Sequence, residues 1–386
     1  MIAFPLKKSR RKNVVFPGRK RSLPRLGKPT ISIDVWLLAS ILFLALFGLL
    51  MIYEASAANA YRTFGDRFHF IREQGQWFVV GLCSMTFMSF FPYKKLYALA
   101  VPMLLVTIVL LVAVFLPGIG INALGAHRWI NLGFFSFQPA ELTKLVLIIY
   151  LSAWFSQPER RRLGSFLLLI GTVLGLVILE PDLGTAILIM SIAVILYFLS
   201  GAPMKHALLL IPIGIGGILL LAISAPYRLR RLMTFINPEQ DTSGSSYHIN
   251  QVLISLGSGG IFGVGLGASL QKYEYVPEVT TDSIFAIIGE ELGFIGAIVL
   301  MTVFCFFLTR GYRVASRVPD RFGRLLGVGI VSWVGVQAAI NLSTMVALLP
   351  LTGVPLPFIS YGGSSLIVLM TGMGILLNIS KSSKSK

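Results

Sequence analysis

Charge is what this 386-residue chain has least of. Only 13% of its residues are Asp, Glu, Lys or Arg, while 55% are hydrophobic, and the mean hydropathy is +0.80. A soluble domain carries about a quarter of its residues as charges, so this balance excludes one. Cysteine is nearly absent. Cys83 and Cys305 both fall in apolar runs, which excludes a disulfide framework and a Cys-rich metal site. They read as two buried, small apolar residues. No cleavable signal is evident, because the basic N-terminal tail leads into a full-length apolar run rather than a short one. No internal repeat is evident either. Acids are scarce, 16 against 33 Lys and Arg, so any place where they gather is informative.

What the chain does have is long apolar runs, each able to cross a hydrocarbon core that needs roughly 20 helical residues. Spans are predicted at 35–55, 77–91, 96–116, 140–156, two short ones within 164–200, then 207–225, 284–308, 324–345 and 362–379. The expected fold is an all-α integral membrane protein of ten spans. A basic tail (1–33) is expected to be disordered, a membrane domain covers 34–379, and a short tail covers 380–386. Of the 33 Lys and Arg, 24 fall on one side of this arrangement, ten of them in the N-terminal tail. The positive-inside rule therefore puts both termini in the cytoplasm and the largest loop, 226–283 between spans 7 and 8, outside. The net charge of +17 raises nucleic-acid binding, but the basic tail sits beside a span with nothing aromatic or folded near it. No nucleic-acid partner is expected.

Five carboxylates (Glu274, Glu278, Asp282, Glu290, Glu291) lie in 18 residues at the point where the chain re-enters the apolar phase. Acids at that depth are a functional-site hypothesis by default. Asp282 is read either as a helix N-cap, which would lower its pKa, or as a base facing a hydroxyl nucleophile. Pro139 suits the first turn of a helix, and Glu141 and Lys144 share its face. They form a structural ion pair, or Lys144 and Arg128 together hold an anionic headgroup. Trp129 reads first as an interfacial anchor. The acids of Glu180-Pro-Asp-Leu-Gly184 read as a solvated outer turn. Arg228, Arg230 and Arg231 are either a solvated helix face or a clamp for a diphosphate. Gly263-x-Gly265-x-x-Ala268 superficially matches a dinucleotide fingerprint, but no strand precedes it. Its glycines read instead as a re-entrant or close-packed segment.

Several motifs occur together and in order: Gly125-Ala-His-Arg-Trp-Ile130, Gln138-Pro-Ala-Glu-Leu-Thr-Lys144, Pro181-Asp-Leu-Gly184, Tyr227-Arg-Leu-Arg-Arg231, the glycine run 257–267, Pro277-Glu-Val-Thr-Thr-Asp282 and Pro355-Leu-Pro-Phe-Ile-Ser-Tyr-Gly-Gly-Ser-Ser365. In this the chain resembles the SEDS membrane glycosyltransferases (shape, elongation, division, sporulation). Within that family it is most similar to the FtsW branch of division, with the RodA branch of elongation second. Thr280 stands where the family pattern has His, Ser283 where it has Phe, and Glu180 where it has Gln.

The resemblance implies polymerisation of lipid II into β-1,4 glycan outside the cytoplasmic membrane, at the septum for the FtsW branch. It implies a class B penicillin-binding protein and other divisome membrane proteins as partners. It also puts the essential loop aspartate on Asp282 and the intramembrane pair on Glu141 and Lys144. The expected substrate-binding set is Arg128, Trp129, Gln138, Glu141, Lys144, Arg228, Glu278, Ser360 and Tyr361. The reading admits a divalent cation, Mg or Mn, at the diphosphate. A lipid II flippase is the alternative of another class.

Overall fold

The computed structural model describes residues 33–123, 126–131, 133, 136–157, 163–224, 226–236, 245–272 and 278–383. The basic tail, Glu274 and Pro277 lie outside the described residues. Among the described residues there are twelve α-helices. They are α1 (Val35–Phe64), α2 (His69–Phe90), α3 (Lys94–Ala113), α4 (Pro139–Ser156), α5 (Leu163–Leu179) and α6 (Leu183–Leu199), followed by α7 (Ala207–Ile223), α8 (Pro226–Ile236), α9 (Ser245–Ser258), α10 (Ile284–Ser316), α11 (Arg321–Met345) and α12 (Gly363–Ser383). A helix stands at each of the ten predicted span positions, and α8 and α9 lie inside the large loop. Among the described residues six helical stretches are long and apolar enough to cross a membrane, and α5 and α6 are shorter apolar helices.

Burial runs opposite to a water-soluble bundle at the periphery. Leu168, Leu208 and Phe90 are 75%, 82% and 70% exposed, and α7 buries almost nothing. Such surfaces are stable only where lipid replaces water, and helices suit that solvent because they satisfy their own backbone. Cys83 and Cys305 also face outward, contrary to the buried placement expected of them. Their helices turn these positions toward lipid, where a small apolar side chain is equally at home. The packed centre is α4 and α11, with α10, α12 and α6 around them.

Several boundaries differ from expectation, and α2 starts at His69 rather than at 77. α1 continues nine residues beyond 55 and stops at Gly65, which is left-handed (φ 70) and returns its N–H to Tyr61 O. α10 runs on to Ser316, and α12 runs to Ser383, into the expected tail. The polar loop 118–139 departs from all-α. It forms a small antiparallel sheet, β1 (Gly120–Ala123), β2 (Ala126–Asn131) and β3 (Ser136–Phe137), in the order β1-β2-β3. Ile121 pairs with Trp129 and Ile130 with Phe137. Gly120 is obligatory there, because a Cβ would sit 1.8 Å from Val114 O.

The glycine run does pack closely, and the reason is a break in α10. Gly293 (φ 67, ψ −168) interrupts the helix and frees its backbone groups. The run supplies substitutes: Val264 and Gly265 donate to Glu290 and Glu291 carbonyls, while Phe294 and Ile295 donate to Gly260 and Ile261. A Cβ on Gly259 would lie 2.0 Å from Gly289 O, so only glycine permits this approach.

Candidate active site

One cavity of about 490 Å³ gathers the polar motifs. That volume lies in the range of ligand sites, about 300–1,000 Å³. Its walls come from β2, the start of α4, the α5–α6 break, α7, α8, the turn before α10, and the loops either side of 350 and 361. Eight of the ten residues expected to act line it: Arg128, Trp129, Gln138, Glu141, Arg228, Glu278, Asp282 and Tyr361. A second cleft of about 460 Å³ lies among α6, α10 and α11. It is apolar apart from Arg313 and a few hydroxyls and has no acid.

Lys144 and Ser360 are placed elsewhere. Lys144 is 1% exposed and bonds Glu141 at 2.8 Å, with Gln337 Oε1 at 3.4 Å and the Trp333 ring beneath it. Its charge is neutralised behind the cavity wall, so it does not reach a headgroup directly. Ser360 Oγ accepts from the Leu356 amide at 2.8 Å and closes its own turn. Both departures come from local geometry: the i, i+3 pair turns into the bundle, and the serine is used by backbone.

Asp282 sits at the cavity, partly buried. Burial, and then the Glu278 carboxylate, push its carboxyl up to about 6; its own amide, the Thr281 hydroxyl and Arg231 pull the other way without prevailing. This corrects the lowered value expected from an N-cap. Ser283, not Asp282, is the N-cap of α10, and it makes no side-chain cap bond. The Asp282 backbone is fixed instead by α11, where Asn341 Nδ2 donates to Asp282 O (2.8 Å) and Val354 O (2.9 Å). One turn earlier Gln337 donates to Pro355 O at 2.9 Å and accepts from Trp333 Nε1 at 2.8 Å. Trp333, Gln337 and Asn341 therefore form a polar stripe at four-residue spacing that carries the 350–355 loop and the turn before α10.

The α5–α6 break is not the solvated turn expected. Glu180 is 0% exposed, and Asp182 caps α6 through the Thr185 amide at 3.0 Å. Burial, then Asp182, raise Glu180 to about 8, and Arg128 only partly offsets this. Arg128 donates Nε to Glu180 O at 2.9 Å and Nη2 to Pro181 O. Its guanidinium thus spans from the sheet to the break, at the cavity edge. Gln138 reaches Asp182 Oδ2 at 3.3 Å. Tyr361 packs on Phe70 edge-on at 5.5 Å, and its amide donates to Thr280 O at 2.8 Å.

Arg228 and Arg231 both line the cavity from α8, as a clamp on a diphosphate would require. The sequence does not single out Thr281, Asn341, Gln337 or His248 as site residues. A polar pair four residues apart inside an apolar span is the signal that marks Gln337 and Asn341. His248 has none, since it lies 35 residues from its partner: its ring Nε2 is 2.6 Å from Ser283 Oγ. A histidine thus comes to the turn before α10 from α9, where the family pattern has one at position 280. Among the described residues no three of His, Cys, Asp and Glu gather as a metal ion requires. The described residues do not build a cation site of their own.

The cell cycle protein family of FtsW, RodA and SpoVE matches residues 35–385. Stage V sporulation protein E of Bacillus subtilis (strain 168) is 39% identical over 357 residues, covering 91% of this chain and 98% of its own. A protein of Coxiella burnetii named probable peptidoglycan glycosyltransferase FtsW is 39% identical over 363 residues, covering 91% and 98%. Among solved structures, a chain from work on the structural coordination of polymerization and crosslinking by a peptidoglycan synthase complex superposes with TM-score 0.73 at 26% identity, over 90% of this chain and 98% of that one. The rod shape determining protein RodA of Thermus thermophilus gives TM-score 0.67 at 27% identity, over 90% and 97%. The chain therefore belongs to the FtsW, RodA and SpoVE family of cell cycle proteins, the SEDS family whose motifs it carries in order.

Proposed function

We propose that the protein is a peptidoglycan glycosyltransferase that polymerises lipid II into β-1,4 glycan at the outer face of the bacterial cytoplasmic membrane. Relatives named probable peptidoglycan glycosyltransferase FtsW, similar over nine-tenths of the chain, support the activity. The observation that carries the mechanism is one cavity with an acid whose carboxyl is raised to about 6 on one wall and arginines on the others. A base poised near the working pH is suited to proton abstraction.

Asp282 takes the proton from the 4-hydroxyl of an acceptor GlcNAc. That oxygen attacks C1 of the donor MurNAc from the face opposite the diphosphate, and the configuration inverts. Arg228 and Arg231 meet the departing diphosphate, with Arg128 at the cavity edge. Arginine suits that charge because its planar fork pairs two oxygens at once. Losing one such cation lowers the rate on the order of 10²-fold. Lys144 and Glu141 hold the wall rather than the ligand.

The likeness to a chain of a peptidoglycan synthase complex that couples polymerization to crosslinking supports a class B penicillin-binding protein as partner, its transpeptidase crosslinking what this chain polymerises. The named relatives include both the division branch and a sporulation protein, and we assign this chain to division at the septum. The test is purified protein with lipid II, with and without the penicillin-binding partner. Glycan ladders that vanish with Asp282→Asn support the reading. Lipid II movement across vesicles without ladders overturns it in favour of transport.

A further inference from the structure

The turn before α10 holds two carboxylates on either side of one hydroxyl. Thr281 Oγ1 lies 2.9 Å from Glu278 Oε2 and 3.1 Å from Asp282 Oδ1, with the Glu278 carbonyl a more distant acceptor at 3.2 Å. A threonine hydroxyl has one proton to give and two lone pairs to receive. It can donate to only one carboxylate at a time. The other contact is a hydrogen bond only when that carboxyl is protonated and donates to Oγ1. The arrangement therefore suits one proton on the pair, at either end.

The two ends differ in exposure. Asp282 is partly buried at the cavity, while Glu278 is exposed. Glu278 also adopts a left-handed backbone (φ 50), uncommon for a non-glycine residue, with its carbonyl taking the amides of Thr281 (3.1 Å) and Ser283 (3.2 Å). That conformation folds the Glu278 side chain back over Thr281. Any substrate contact of Glu278, expected from the sequence as part of the substrate-binding set, lies away from a diphosphate, whose charge it would repel.

We infer that Thr281 and Glu278 are the exit for the proton that Asp282 takes up: Asp282 Oδ1 gives its proton to Thr281 Oγ1, the hydroxyl passes its own to Glu278 Oε2, and Glu278 releases it to water. Each transfer breaks one O–H bond and makes one. The sequence ends with Asp282 ionised, the Thr281 hydroxyl restored and one proton in solution for each glycosidic bond formed. The relay rests on the proposed base role of Asp282. Two other charged or titratable groups face the pair. Arg231 of α8 favours the ionised Asp282, and His248 of α9, beside Ser283, is held neutral because burial pushes it down to about 4. Neither competes for the proton near neutral pH.

The test is steady-state lipid II polymerisation by the full-length protein with its penicillin-binding partner, comparing wild type, Thr281→Ser, Thr281→Val and Asp282→Asn. Thr281→Val is expected to lower kcat about tenfold with KM unchanged, less than the roughly 10²–10⁴-fold that a general acid–base group itself contributes, while Thr281→Ser stays near wild type. Raising the concentration of imidazole, a small proton carrier, should recover part of the Thr281→Val rate. Wild-type kcat in Thr281→Val, or equal loss in Thr281→Ser, overturns the relay. If Thr281→Val does not fold, Glu278→Gln replaces it: a rate that climbs with imidazole supports the exit, and a flat response overturns it. An active Asp282→Asn would sink the base reading itself, whereas an inactive one beside a normal Thr281→Val removes the relay alone.

Discussion

At the scale of single residues, two carboxylates are held well above the usual range, and each makes a different pH prediction. Asp282, pushed up to about 6 by burial and by Glu278, must be ionised to act as a base. The kcat/KM for lipid II should therefore fall on the acid side through an apparent pKa near 6 and lose a further tenfold per pH unit below it. Glu278→Gln removes the like charge, so the acid limb should move to lower pH even if the plateau drops. A pH profile of both proteins reads this directly, and an unmoved limb would separate the titration from Asp282. Glu180, raised from an ordinary 4.5 to about 8, is neutral at pH 7. That explains how Glu replaces the family's Gln at this position: the protonated acid has nearly the shape and polarity of the amide. Because its folded pKa is raised, its favourable share of stability is complete below pH 4.5 and is lost as pH rises to about 8. Glu180→Gln has no such loss. Its melting temperature relative to wild type should rise between pH 5 and pH 8, measured in the same detergent.

At the scale of elements, α11 does the positioning. Its stripe of Trp333, Gln337 and Asn341 connects the Lys144–Glu141 pair, the 350–355 loop and the backbone of Asp282. Asn341→Leu keeps the branched shape but is bulkier, and it takes the side-chain donor from two carbonyls, that of Val354 buried and that of Asp282 partly so, at about 1–3 kcal/mol each. The larger effect should be on rate. A displacement near 1 Å of a reacting group can cost about 10²-fold, so kcat should fall by that order while lipid II still binds. Single-turnover kinetics beside a binding titration would separate the two, and an unchanged kcat would mean that the loop holds Asp282 alone. This part of the site is only half legible in the sequence. The i, i+3 spacing of Glu141 and Lys144 announces their pairing, because it depends only on helix geometry. Whether Lys144 faces the ligand or the core depends on which side α11 packs, and no local pattern carries that. Asp282 stands out because a carboxylate at a span edge is costly. Its pKa direction does not, since burial and Glu278 outweigh the helix terminus.

At the scale of the whole molecule, the apolar runs locate all ten helices in the predicted spans, because the roughly 20-residue requirement of a bilayer leaves few other ways to place that much hydrocarbon. The sheet at 120–137 is hidden, its strands being two to six residues long within a polar loop. Sidedness is the property that burial alone does not express, and it rests on 24 of 33 basic residues falling on one side. Under the proposed function it also decides which substrate pool the cavity meets, since lipid II displayed outside would have to reach Asp282 from that face. The orientation predicts a labelling pattern in intact cells. With Cys83 and Cys305 replaced by alanine, a single cysteine at Leu348, 70% exposed beside the cavity loop, should react with a membrane-impermeant maleimide. A single cysteine at Arg317, in the turn between α10 and α11, should react only after permeabilisation. The reverse pattern would place Asp282 and the arginines of α8 in the cytoplasm, where the same cavity could polymerise only lipid II that had not yet crossed the membrane.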